Sequence, residues 1–181
     1  MSLELKLHKV KTNEEIDLFW QKRDQYMRED VIPNCTLGKP LDEEDIEWFF
    51  SKEYKEHIMN AFNRSVNPLN IVFFLKNDEY VGFCVYVIYT SEDGKCFIVD
   101  YCIDAKYRNQ NLGRQFFYIL KEQVIKEGAK YFALNLSNEN NQRFWESLGF
   151  KKSYVDEYGE DVYTNKIDKF NLEISNKKGI I

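Results

Sequence analysis

The chain has 181 residues, 44% of them hydrophobic and 16% aromatic, which suits one domain with a large core and excludes wholesale disorder. Its net charge of −5 and calculated pI of about 5.2, without a strongly basic block, disfavour nucleic-acid binding. The longest apolar runs, IVFFL and VGFCVYVIY, fall short of the ~18 residues a membrane span needs, and the N-terminus lacks a secretory pattern.

Leu3, Leu5 and Leu7 alternate with charged residues, the period of a half-buried strand. Thr12 with Glu15 forms a capping-box pattern, and Ile16, Phe19, Trp20, Arg23, Tyr26 and Met27 follow at helical spacing. Pro33 and Gly38-Lys39-Pro40 predict a break. A second helix is predicted from Asp42, its acids gathered in the first turn and its buried stripe made of Ile46, Phe49, Phe50, Tyr54, Ile58 and Phe62.

After Pro68 the period changes to that of strands. Residues 70–89 read as a hairpin around Asn77-Asp78-Glu79, and KCFIVDYCI, after a turn at 92–94, as a third strand. The turn KYRNQNLGR leads into a helix carrying Phe116, Phe117, Leu120, Val124 and Ile125, stopped near Gly128. KYFALNL is a strand, SNENNQRFWESLG a short helix, and FKKSYVDE with EDVYTNKI a last strand pair about Tyr158-Gly159. The tail ISNKKGII carries no signal. The order β-α-α-β-β-β-α-β-α-β-β gives an α/β (α+β) class: a mixed, mostly antiparallel sheet with a βαβ unit around the 113–127 helix, in a single domain over 1–181.

Cys35, Cys84, Cys96 and Cys102 lack C-x-x-C spacing and read as reduced core thiols of a cytoplasmic protein. No His or carboxylate cluster suggests a metal; His8 and His57 stand alone.

The turn at 106–114 joins a strand to a helix, so the unpaired N–H groups of the first helical turn and the dipole can hold an anion, with Arg108 and Arg114 flanking. The other reading is an ordinary connection with solvated arginines. The turn fits neither the dinucleotide nor the P-loop pattern. If position 111 needs a left-handed backbone, Asn111 is the best substitute for glycine.

Arg108-Asn109-Gln110-Asn111-Leu112-Gly113 resembles the pyrophosphate loop R/Q-x-x-G-x-G/A of the GNAT superfamily of acetyl-CoA-dependent N-acetyltransferases, except at Asn111. Asn138 followed by RFWESLGF is similar to that family's second block, an Asn and then a helix ending in F-Y-E-x-L-G-F. The resemblance implies a GNAT-like fold with helices on both sheet faces, acetyl-CoA as cosubstrate, and direct attack by a primary amine of a small molecule or peptide. It implies that Tyr101, Cys102 and Ile103 face the pantetheine arm and that Asn109 to Arg114 hold the pyrophosphate. Asn138 and Asn141 are expected at the cofactor's far side, with Trp145 as pocket wall or core.

Asp100 is the expected general base, acting directly or through water; the alternatives are that it lies on the face away from the cleft or pairs with a lysine. Trp145 stands where the family often has a tyrosine acid, and several tyrosines, Tyr101 and Tyr154 among them, are candidates to replace it. Asp24, Glu29, Asp30, Asp42, Glu43, Glu44, Asp45 and Glu47 read either as a mouth for a cationic acceptor or as a solvated, dipole-matched face, the latter favoured. A noncatalytic acyl-CoA-binding or interaction module is the rival function; the partners expected are acetyl-CoA and an amine, without nucleic acid or membrane, in a monomer or homodimer.

Overall fold

A computed structural model describes residues 4–38 and 41–167; Leu3 of the first predicted strand, Lys39-Pro40 of the predicted break and the tail from 174 lie outside them. Among the described residues seven strands form one sheet in the order β1-β2-β3-β4-β5-β7-β6. β1 (Leu5–Lys9), β2 (Leu69–Lys76), β3 (Glu79–Ile88) and β4 (Lys95–Ile103) pair antiparallel in sequence. β5 (Tyr131–Asn135) joins β4 in parallel, and β7 (Asp161–Lys166) and β6 (Lys151–Val155) complete the sheet antiparallel. The hairpin between β2 and β3 turns on Asn77 and Asp78, both left-handed (φ 51° and 66°), the backbone that matches strand twist.

Helix α1 (Asn13–Tyr26) starts at the expected capping box: the Thr12 hydroxyl accepts from Glu15 N at 3.2 Å and the Glu15 carboxylate accepts from Thr12 N at 3.0 Å. The chain does not break at Pro33. α1 runs through a π-helical turn, Met27–Val31, into the single turn α2 (Ile32–Asn34), and Pro33, which has no N–H to donate, sits in this last turn of the helical path. The helical path ends at Cys35, in extended backbone.

The predicted second helix is two. α3 (Glu43–Phe50) begins at Asp42 as expected, and α4 (Lys52–Phe62) follows. Ser51 separates them: it is extended (ψ 158°), its hydroxyl donating to Trp48 O at 2.8 Å and accepting from Tyr54 N at 3.0 Å. A serine side chain that competes for backbone groups favours a cap over a helix interior. The stripe from Ile46 to Phe62 is half-buried rather than buried.

The sheet carries helices on both faces. α1 and α4 cover one, over a core of Phe19, Trp20, Phe73, Phe83, Val85, Val87 and Cys102. α5 (Leu112–Lys126) and α6 (Glu139–Ser147) cover the other, over Phe74, Tyr86, Ile98, Phe116, Phe117, Phe132, Trp145 and Phe150. β3 and β4 approach so closely at Gly82 that a Cβ there would lie 2.2 Å from Cys102 O. The strand cysteines Cys84, Cys96 and Cys102 are buried free thiols. No described helix is long and apolar enough to cross a membrane.

Candidate functional site

β4 and β5 pair only from Lys95 to Phe97 against Tyr131 to Ala133. Beyond Phe97 the strands part, and a cleft of about 650 Å³ opens between them. Its walls are the unpaired half of β4, the turn after it, the end of β5, the start of α6, and Tyr26, Asp30 and Asn34 from the helical segment α1–α2.

β4 changes face on the way. Val99 is bulged, since Val85 pairs with Asp100 and Tyr86 with Ile98. Before the bulge Cys96 and Ile98 point to the α5 side; after it Tyr101 and Ile103 point there and Cys102 points to the α1 side. Asp100, an even position like Cys96 and Ile98, is thereby turned away from the aromatic core and toward α1.

The turn beyond β4 contains a 3-10 turn, Ala105–Tyr107, and then two left-handed asparagines, Asn109 (φ 60°) and Asn111 (φ 59°). Position 111 does take the left-handed backbone for which Asn111 is the best substitute for glycine. The first intrahelical bond of α5 is Gln115 N to Asn111 O at 3.2 Å. The N–H groups of Leu112, Gly113 and Arg114 precede it, have no acceptor among the described residues, and lie on the cleft lining at the positive end of the dipole. A Cβ on Gly113 would come within 3.4 Å of the Phe144 ring, so α5 and α6 meet tightly at this point.

Both flanking arginines are engaged with protein groups. Arg108 donates from Nη1 to Asp30 Oδ1 at 2.9 Å, from Nη2 to Asp30 Oδ2, and from Nε to Ile103 O at 2.8 Å. It thus ties the π-helical turn to the end of β4. Arg114 donates to Ser147 O at 3.2 Å and to the Ser147 hydroxyl at 2.7 Å. An anion at this turn would therefore meet backbone N–H groups, and the expected arginine contacts to phosphate would require these bonds to exchange. Gln110 accepts from Lys76 Nζ at 3.1 Å. Asn138 caps α6 by accepting from Asn141 N at 2.9 Å, and the Asn141 amide donates to the Ser137 hydroxyl, also at 2.9 Å; both asparagines line the cleft.

Asp100 lies on the cleft wall with its Oδ2 3.6 Å from Arg23 Nε, the two side chains being 14% and 3% exposed. Burial pushes the Asp100 carboxyl up from its ordinary range, and Arg23 opposes that shift. Arg23 also donates to Phe49 O at 3.1 Å and to the Tyr54 hydroxyl at 2.9 Å, and lies over the Trp20, Phe49 and Tyr54 rings. A charged residue on the apolar stripe of α1 is the sequence signal for this partner, and helical periodicity alone does not say which acid it meets.

Tyr101, expected as a catalytic group, donates its hydroxyl to Gly113 O at 2.6 Å and so fastens β4 to the first turn of α5. Trp145 lines the cleft from within a cluster of Tyr101, Phe117, Phe144 and Phe150, at 6% exposure. Of the acids on the N-terminal helices only Asp30 lines the cleft, and it is paired; Asp24 pairs with Lys55 at 3.0 Å. No group of potential metal ligands occurs among the described residues.

Residues 39–150 match the family described as "Acetyltransferase (GNAT) family". Among solved structures the chain is similar to the PaiA N-acetyltransferase of Thermoplasma acidophilum in complex with coenzyme A, at 16% identity and a TM-score of 0.64, covering 92% of this chain and 100% of that one. An acetyltransferase of Thermus thermophilus gives 14% identity and 0.61 over 90% and 97%. The ribosomal-protein-S18-alanine N-acetyltransferase of Escherichia coli gives 18% and 0.52 over 89% and 91%. No curated protein matches in sequence.

Proposed function

Because the chain belongs to the GNAT acetyltransferase family, whose acetyl donor is acetyl-CoA, we propose that it transfers the acetyl group to a primary amine of a small molecule or peptide by direct attack. The observation that carries this reading is the parting of β4 from β5 directly in front of the free N–H groups of Leu112, Gly113 and Arg114. An unpaired strand edge suits an amide-bearing arm, and the adjoining amides suit a diphosphate. Asn109, Gln110 and Asn111 shape that turn, Cys102 and Ile103 belong to the edge, and Asn138 and Asn141 close the far side.

Bound acetyl-CoA supplies an activated acyl carbon whose thioester yields to a neutral amine. An alkylammonium titrates near ~10.4, so the acceptor must first lose a proton. Asp100 is the base for that step: it lies on the cleft wall, burial makes it a stronger base than a solvated aspartate, and Arg23 fixes its position. A backbone N–H of β4 near the Val99 bulge stabilises charge on the acyl oxygen. Tyr101 holds the loop rather than a proton in flight.

A second reading is a noncatalytic acyl-CoA-binding or interaction module, favoured by the packed indole of Trp145 and the engaged hydroxyl of Tyr101. One experiment separates the two: thermal shift with acetyl-CoA, then thiol release across an amine panel. The transferase gives a shift and amine-dependent release; the module gives the shift alone; no shift refutes both. We further propose one domain over the whole chain, in the cytoplasm, as a monomer or homodimer without nucleic-acid or membrane partners, in keeping with free thiols and an acidic charge of −5.

A further inference from the structure

The chain holds twelve tyrosines, and those lining the cleft are Tyr26, Tyr101 and Tyr107. Tyr101 donates to Gly113 O at 2.6 Å, and Tyr107 donates to Glu79. The Tyr26 hydroxyl has no hydrogen-bond partner among the described residues, yet it is not sealed in the interior. It is the one cleft tyrosine with a free donor among them.

Tyr26 is the last residue of α1, directly before the π-helical turn Met27–Val31, a distortion of the kind often found beside functional sites. Its ring stands edge-on to Phe83 at 5.7 Å, on the α1 face of the sheet, whereas Trp145 packs on the α5 face. The charged or titratable groups acting on it are Asp100 and Cys102 from β4, Asp30 from the π-helical turn and Arg108 from the loop. Burial, aided by Asp100, Cys102 and Asp30, pushes the phenol well above its usual range, so it stays protonated through neutral and mildly alkaline pH and acts as a donor.

We propose that Tyr26 is the hydrogen-bond donor to the sulfur of coenzyme A in this cleft, reaching it from the side of the sheet opposite Trp145. This rests on the coenzyme reading given above. In the transfer, the neutral amine nitrogen bonds to the acyl carbon, the carbon–sulfur bond breaks with its electron pair passing to sulfur, and one proton leaves nitrogen for solvent. A thiol titrates near ~8.5, so the sulfur departs as an anion, and a donor that keeps its own proton stabilises it.

The test is calorimetric titration of wild type and Tyr26→Phe with coenzyme A and with desulfo-coenzyme A, at pH 7 and pH 9.5. Phenylalanine keeps the packing on Phe83. At pH 9.5 wild type should prefer coenzyme A over the desulfo compound by about tenfold, and Tyr26→Phe should lose that preference while binding desulfo-coenzyme A within about twofold of wild type. A preference retained in the variant, or an equal loss for both ligands, overturns the role of Tyr26. Failure of wild type to bind either ligand overturns the coenzyme reading itself. A second readout stands beside these: the ultraviolet thiolate absorbance of bound coenzyme A should titrate at lower pH in wild type than in Tyr26→Phe, and equal titration in the two overturns the proposal.

Discussion

Replacing Arg23 by methionine removes the cation facing Asp100 and keeps most of the apolar stem. Three contacts go at once: the ion pair to Asp100 at 3.6 Å and the hydrogen bonds to Phe49 O and the Tyr54 hydroxyl at 3.1 and 2.9 Å. Removing one member of a buried pair costs about 3–5 kcal/mol, because the other charge is left without compensation. Asp100 keeps 14% of its side-chain exposure, so the lower end, about 3 kcal/mol at pH 7, is expected. The sign with pH follows from linkage. The folded carboxyl already titrates above its unfolded value and, without Arg23, climbs further. A group raised in this way adds stability below its unfolded pKa and loses it as pH rises through the folded one. The deficit of Arg23→Met should therefore shrink from pH 7 to pH 4.5, each unit of further climb returning about 1.4 kcal/mol once the carboxyl is protonated. Urea unfolding followed by tryptophan fluorescence measures both deficits. Adding Asp100→Asn to the variant should recover part of the loss at pH 7. A deficit that is flat with pH, or no deficit, refutes the account of this pair.

Gly113→Val would drive a branched side chain onto the Phe144 ring, where a Cβ alone reaches 3.4 Å; coenzyme A affinity should fall at least about tenfold by calorimetry while the circular dichroism spectrum is kept. Gly82→Ala sets a Cβ against the Cys102 carbonyl, a backbone atom with no rotamer to yield, and should lower the urea midpoint by an amount equivalent to about 3 kcal/mol or more. Asp30→Asn frees the Arg108 fork for phosphate, so coenzyme A should bind a few-fold tighter with a steeper decline in added salt; unchanged affinity and slope refute the competition.

Many structural decisions made by neighbours in the chain match the sequence reading, although the break expected at Pro33 does not occur. Thr12 with Glu15, Asp42 before its acidic turn, Asn77-Asp78 and the left-handed Asn111 are local choices of backbone chemistry, and each appears as expected. The split at Ser51 is local too, but a serine between two apolar stretches has the same periodicity whether it caps or continues. What composition and spacing hide is partnership across the fold. Arg108 finds Asp30, 78 positions away, and Arg114 finds Ser147, 33 away, so neither arginine is free as their spacing alone suggests. Arg23 and Tyr26 read as members of an apolar stripe; only tertiary placement gives the first an acid and leaves the hydroxyl of the second without a hydrogen-bond partner among the described residues.

The extra residue at Val99 sets a limit on how β4 can change length. Excising it would set Ile98 beside Asp100, as their partners Tyr86 and Val85 already are, so the ladder with β3 would become regular with Asp100 still toward α1 and Tyr101 still on the α5 face. A one-residue shortening of β4 should then be tolerated at Val99, which is 41% exposed, and not between Asp100 and Ile103, where the loss would turn the end of the strand over.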